Sequence, residues 1–189
     1  SKTQSQEKRE ALNLWRQRVG YDQAARITNQ AAVRGTEMHY VLEQYCNGIG
    51  YLNLTKEGAL PRMMAHTIVD NLDLFSQVYG TEVSLSYKDL WAGSSDLIGV
   101  YDDKPTIIDF KQSNRPKREE WIEDYYYQIA AYALAHKLNF GPIEQGLICV
   151  CTKDLVSQQF KMDADKIKEY EEKWFARVDK YYKKKEDKL

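Results

Sequence analysis

The chain has 189 residues, 43% of them hydrophobic and 29% charged, which suits one domain with a substantial buried core and excludes a disordered or fibrous chain. Its 27 basic and 28 acidic residues leave a net charge of −1, so any contact with nucleic acid must rest on local charge rather than on the surface as a whole. Apolar runs are short and interrupted and the first ten residues are polar, so neither a membrane partner nor a secretory signal is expected.

Residues 5–18 read as a helix with Leu12, Leu14, Trp15 and Val19 on or near one face, ending at Gly20. Asp22 is the expected N-cap of a second helix that runs to about Tyr45. Its apolar positions are broad enough to face a core on more than one side. A loop around Gly48 and Gly50 precedes a third helix, predicted over residues 60–79 with Pro61 early, where proline is tolerated.

After Gly80 the period changes from helical to alternating. Residues 82–87, 92–101 and 106–111 read as three strands of an antiparallel meander, with a tight turn at Asp102-Asp103-Lys104-Pro105. A polar, basic loop at 113–118 leads to a long helix over 119–138, stopped by Asn139 and Gly141-Pro142. Strands follow at about 145–152 and 155–161, and a last helix runs from Ala164 into Lys183-Lys184-Lys185. On that helix Ile167, Tyr170, Trp174, Val178 and Tyr181 form a packing stripe, and the lysines suit a solvated helix end. The order is α-α-α-β-β-β-α-β-β-α, with no repeat and no linker, so residues 1–189 are expected to form a single domain.

Cys149 and Cys151 stand two apart in a strand, which sends both to one face as small buried apolar groups. With Cys46 they number three, too few for a four-cysteine zinc or iron–sulfur site on this chain alone.

Two acids stand out. Asp96 lies among small residues in Gly93-Ser94-Ser95-Asp96-Leu97-Ile98-Gly99, and Asp109 follows Ile107 and Ile108 in an apolar strand. A buried acid is costly unless it is paired or binds a cation, and two acids on adjacent strands can meet side by side. Hard divalent ions such as Mg²⁺ favour oxygen ligands of this kind. Lys111, two residues after Asp109, leaves the same strand face and can approach both a metal and a phosphate. The plain alternative is a surface hairpin with an Asp-x-Lys ion pair. Asp-x-Lys is a common pattern, and taken alone it favours the plain alternative.

The wider pattern reverses that. Arg34-Gly35-Thr36-Glu37-Met38-His39, Glu82, the Asp96 stretch, Ile108-Asp109-Phe110-Lys111-Gln112-Ser113 and Tyr125-x-x-Gln128-x-x-x-Tyr132 occur in one order over residues 34–132. This set resembles the RecB-type branch of the PD-(D/E)xK nucleases. Residues 12–39, with Trp15-Arg16-x-Arg18-Val19-Gly20 before the Arg-Gly-Thr element, are similar to the mitochondrial genome maintenance exonucleases and their phage relatives. The spacing agrees: Gly35 and His39 share a helix face, as do Tyr125, Gln128 and Tyr132.

The resemblance implies an α/β fold with a central mixed sheet flanked by helices, and a Mg²⁺- or Mn²⁺-dependent deoxyribonuclease. It implies His39, Asp96, Asp109 and the Phe110 carbonyl as metal ligands, Lys111 as the catalytic lysine and Gln128 beside the active site. Glu82 matches a family acid that binds metal, orients a ligand or supports the strand. His66 and His136 have no companion motifs and read as structural or exposed. The implied substrate is DNA, single-stranded or with free ends, digested as an exonuclease in phage- or bacterial-type processing, repair or recombination. Phage or host recombination and replication proteins are the implied partners. The expected setting is the cytoplasm of a bacterial or phage-infected cell, or the mitochondrial matrix in a eukaryote.

Two departures accompany the match. The chain begins where this branch carries a further N-terminal segment, as expected of a shortened or trimmed phage version. It also lacks the four cysteines of the cluster-bearing relatives, so no iron–sulfur cluster is expected. The rival readings are a structure-specific endonuclease and a non-catalytic DNA-binding adaptor. For DNA contact, Arg34, Arg115, Lys117 and Arg118 are phosphate candidates, and Tyr132 joins them from its helix face. Trp91, Trp121, Tyr125, Tyr126 and Tyr127 are stacking candidates, with Trp121 and Tyr126 preferred.

Overall fold

The alternating segments from residue 75 onward fold into one mixed sheet, seen in a computed structural model that describes residues 6–50 and 55–186. Position 5 of the first predicted helix and the Lys185 side chain fall outside the described residues. Among those described, the strands are β1 (Phe75–Tyr87), β2 (Trp91–Tyr101), β3 (Lys104–Ser113), β4 (Gln145–Thr152) and β5 (Ser157–Met162), lying side by side in that order. Neighbours are antiparallel except β3 and β4. That parallel pair needs a crossover, which α4 (Glu123–Phe140) supplies. Between β2 and β3 the chain reverses through Asp102 and Asp103, both at positive φ (53° and 59°), as a two-residue hairpin requires.

Helices cover both faces, so the central strands are apolar on both sides; every residue of β4 is buried. On one face α2 (Tyr21–Cys46) and α3 (Lys56–Val69) bring Met38, Leu42, Met64 and Ile68 onto Leu97, Ile108, Phe110, Leu147, Cys149 and Cys151. On the other, α4 and α5 (Ala164–Glu186) bring Ile129, Ala130, Ala133, Ile167 and Tyr170 onto Ile98, Ile107, Ile148 and Val150. The helix α1 (Gln6–Val19) packs on α2. The stripe read on the last helix is a packing face, with Ile167, Tyr170 and Val178 buried.

Three boundaries differ from the sequence reading. α2 starts at Tyr21 behind Gly20 (φ 90°) without a side-chain cap, so Asp22 lies in the first turn, where its charge still suits the helix dipole. α3 begins at Lys56, capped by Thr55 accepting from the Gly58 N–H at 3.1 Å, which places Pro61 inside the helix. It stops at Val69 rather than near 79. The Asn71 amide donates to the Thr67 carbonyl at 2.8 Å as the chain turns, and residues 75–79 gain main-chain partners across from β2. Sheet pairing overrides the helical pattern there. The helix predicted over 119–138 is a short 3₁₀ turn, Glu119–Trp121, followed by α4.

Candidate active site

The register of the sheet creates the site. Among the described residues β2 and β3 pair from Tyr101↔Lys104 up to Leu97↔Ile108, after which β2 stays with β1 and β3 stays with β4. The sheet therefore forks, and Asp96 and Asp109 are the first residues on its two arms. The Phe110 N–H, without a ladder partner from β2, donates to Asp96 Oδ2 at 2.7 Å. A carboxylate thus closes the backbone accounting where the strands part.

Through this opening α2 reaches Asp96. His39 Nδ1 lies 3.5 Å from Asp96 Oδ1, and its ring stands edge-on to Phe110. Met38 and Leu42, on either side, are buried and hold the helix down. One turn earlier, a Cβ at Gly35 would sit 3.2 Å from Gln112 Cγ, so the glycine lets α2 approach the end of β3. Arg34 fastens that contact. Its Nε and Nη2 donate to Gln112 Oε1 at 3.0 and 2.7 Å, and Nη2 also donates to Asn114 Oδ1.

On the β3 arm Asp109 is 1% exposed, and Lys111 Nζ donates to its Oδ1 at 2.6 Å. Oδ2 touches the same ammonium but accepts no well-formed hydrogen bond. Burial pushes the Asp109 carboxyl up to about 6, against the opposing pull of Lys111. Burial also acts to lower the Lys111 pKa, but Asp109 and Asp96 outweigh it and hold the ammonium above its ordinary range. For Asp96, burial acts upward, yet His39, Lys111 and the Phe110 N–H bring its pKa below the usual value. For His39, burial acts downward and Asp96 prevails, raising it.

Glu82 completes the β2 arm. It lies opposite Asp96, between the pairs Thr81↔Leu97 and Val83↔Ser95, and adopts φ 46°, a conformation unusual for a side-chain-bearing residue. Ser94 Oγ donates to Glu82 Oε2 at 3.3 Å. Ligand atoms of Glu82, His39 and Asp96 all fall within 4.8 Å of one another, a separation one divalent ion can span. A cavity of about 390 Å³ beside them is lined by Gly35, Thr36, His39, Tyr40, Glu43 and Glu82. The left-handed turn at Glu82 and the presence of Glu43 have no signature in the sequence.

From the opposite face α4 contributes one row. The ring of Tyr125 lies under Lys111 Nζ, 5.2 Å from the centroid, and Gln128 Nε2 donates to the Tyr132 hydroxyl at 3.2 Å. Tyr132 fills space left by Gly93, where a Cβ would meet the ring at 2.8 Å. Burial raises the Tyr132 hydroxyl pKa, and Asp109 and Asp96 add to it.

The remaining candidates lie outside the fork. Arg115 and Lys117 are on the loop after β3, with Trp121 exposed beside Arg115. Tyr126, a preferred stacking candidate, is instead 2% exposed, because its hydroxyl donates to Glu119 and its ring packs in the core beneath Lys166. Trp91 stacks on Tyr87 and its indole N–H donates to the Ala131 carbonyl, while Tyr127 packs on Tyr170. These rings secure α4 and α5. His66 is exposed, and His136 is buried with Nδ1 2.9 Å from the Gly141 carbonyl.

The forked mixed sheet between helices, with two carboxylates and a lysine at the fork, is PD-(D/E)xK nuclease-like in its architecture. By sequence the chain is related, at low identity, to mitochondrial genome maintenance exonuclease 1. It is 28% identical to the Homo sapiens protein over 188 residues, covering 93% of this chain and 54% of that protein. It is 29% identical to the Xenopus tropicalis protein over 194 residues, covering 94% and 54%. The chain thus spans about half the length of the curated relatives it matches. A solved structure from Eubacterium rectale, provisionally named an exonuclease, shares the fold with a TM-score of 0.50 at 14% identity, covering 77% of this chain and 63% of that one. No protein-family model matches the chain.

Proposed function

We propose that this chain is a Mg²⁺- or Mn²⁺-dependent deoxyribonuclease that hydrolyses phosphodiester bonds at the ends of single-stranded DNA. The observation that carries the reading is the fork. It gathers His39, Asp96 and Glu82 within ligand distance and sets Lys111 on the neighbouring arm, bonded to Asp109. Asp96, Asp109, His39 and the Phe110 carbonyl would hold the ion, with Glu82 as a further ligand or an outer support. When bound, such an ion lowers the pKa of water and offsets charge on phosphate oxygens.

The chain's own groups do the rest. The Lys111 ammonium is held charged by two carboxylates, so it can donate to a phosphate oxygen and offset the negative charge that grows there during attack. Tyr125 supports that ammonium from beneath. Gln128, oriented by Tyr132, offers an amide to fix a water or a phosphate oxygen near the fork. Arg34 keeps α2, and with it His39, against β3. The use of DNA ends is carried over from the names of the relatives. Phage or host replication and recombination proteins are the proposed partners. A bacterial, phage-infected or mitochondrial interior is the proposed setting.

The test is a digestion time course on end-labelled linear strands and covalently closed single-stranded circles, with Mg²⁺, Mn²⁺ or EDTA. Linear strands should shorten only with the metals, and circles should persist. Cutting of circles at the linear rate would make the enzyme an endonuclease. Absence of cleavage in both metals would end the nuclease reading.

A further inference from the structure

A second group of cations lies outside the fork. Residues 114–118 leave the end of β3 and carry Arg115, Lys117 and Arg118. Both arginines rest on one indole: their guanidinium carbons lie 5.5 and 5.2 Å from the Trp121 ring centroid, and Trp121 is 46% exposed. The loop is pinned from two sides. Gln158 on β5 accepts from the Lys117 N–H at 2.7 Å and donates to the Lys117 carbonyl at 3.0 Å, using both ends of its amide. Ser113 Oγ donates to the Arg115 carbonyl at 2.7 Å.

Three cations held this way are short of acids. Among the described residues no salt bridge engages Arg115 or Lys117, and Arg118 has only the exposed Glu120 at 3.9 Å. Burial lowers the Lys117 pKa, and the nearby Arg115 charge adds to it. Crowded cations on a fixed loop favour an anion that bears several charges in a row. Arg115 is four residues beyond Lys111, a chain distance of at most about 13 Å at roughly 3.3 Å per residue.

We infer that Arg115, Lys117 and Arg118, braced by Trp121, form a platform that binds successive backbone phosphates of a single polynucleotide strand next to the fork. The inference rests on the nuclease reading for its position, but the platform itself can be tested without catalysis. It assigns Trp121 a different task from the base stacking suggested by its sequence context. The indole holds two guanidiniums, which keep their N–H groups for phosphate oxygens. It also makes length recognition separable from chemistry, because a small phosphodiester has no successive phosphates to lay along the loop.

The test measures binding of fluorescein-labelled oligothymidylate by anisotropy in EDTA across a salt series. It also measures hydrolysis of the same strand and of thymidine 5′-(4-nitrophenyl phosphate) with Mn²⁺. R115Q/R118Q should weaken strand binding at least tenfold and reduce the log–log salt slope by about 1.4, at roughly 0.7 per lost phosphate contact. Strand KM should rise while kcat and turnover of the small diester stay within twofold. Trp121→Leu should act in the same direction on affinity and on the salt slope. If Trp121→Leu weakens binding with the salt slope unchanged, the indole stacks on bases and the brace is wrong. If R115Q/R118Q binds the strand as the parent does, or loses both substrates equally, the platform is overturned. Failure of the parent to cleave either substrate would refute the nuclease reading and leave the binding result to judge the platform.

Discussion

On the β1–β2 arm of the fork, Glu82, Ser94 and Asp96 present oxygen atoms beside His39 and an open cavity, whereas on the β3–β4 arm Asp109 is sealed from water and already neutralised by Lys111. The first arm is a set of candidate ligands in reach of solvent. The second is a buried ion pair whose members can be turned toward new partners. The difference separates what each residue does for activity from what it does for stability, and mutations on the two arms should divide accordingly.

The largest effects should fall on the β3 arm. Lys111→Ala should lower kcat by about 10²–10⁴-fold, because in the proposed reaction it removes the cation that would oppose transition-state charge. It should also destabilise the metal-free protein, since breaking a buried pair costs about 3–5 kcal/mol when the remaining charge stays ionised. The sign of the pH dependence follows from Asp109, whose carboxyl burial pushes up to about 6 with Lys111 present. A carboxylate with a raised folded pKa costs stability above that pKa and ceases to cost once protonated. The Tm deficit of Lys111→Ala against the parent should therefore shrink as the pH falls from 8 to 5. A deficit that is constant or grows over that range would mean that Asp109 is not the group left unpaired.

His39→Ala tests the other arm. It should raise the Mn²⁺ concentration for half-maximal cleavage at least about tenfold, with Tm in EDTA close to the parent value, because the ring is partly exposed and lies at the rim of the core. A large loss of Tm together with an unchanged metal requirement would make His39 a core residue and dissolve the contrast between the arms.

The arms also differ in how far they could be read in advance. Asp96, Asp109 and Lys111 could be singled out from their strand positions and spacing, whereas His39 and Gln128 came from the family resemblance, with their helix-face spacing in agreement. The strands were read from alternating segments, and the central mixed sheet was what the family resemblance implied. What escaped depends on distance or on conformation. Arg34 meets Gln112 and Asn114 from 78 and 80 positions away, and no local pattern announces it. Glu82 turns through positive φ without a glycine or asparagine to mark it. The end of α3 was misplaced because Val78 and Tyr79 suit a helix face as well as a strand, and only β2 decides between them. Tyr126 looked like its neighbours in sequence and is buried by the way α5 lies across α4.

Glu82 sharpens the comparison through stability alone. Held at φ 46°, it carries a backbone cost of about 1–2 kcal/mol that glycine would not. Glu82→Gly should therefore melt higher than Glu82→Gln, although both remove the carboxylate and both should weaken activity if Glu82 contacts the ion. Equal melting temperatures would show that the turn is unstrained. Full activity of Glu82→Gln would confine Glu82 to supporting the strand.

The smallest expected effect lies where α2 meets β3. Gly35→Ala should gain about 1 kcal/mol of helix propensity, but its Cβ would lie 3.2 Å from Gln112 Cγ. A free glutamine would move aside. This one is held by two hydrogen bonds from Arg34, so the added methyl group must either break them or lift α2. The gain and the loss should nearly cancel in Tm. His39 rides on the same helix, so the metal requirement should rise even though stability does not fall. Removing the obstruction separates the two effects: in Gly35→Ala/Gln112→Ala the propensity gain should appear as a higher Tm than in Gln112→Ala alone. If Gly35→Ala by itself raises Tm by the full amount and leaves the metal requirement unchanged, the close approach at Gly35 does not position His39.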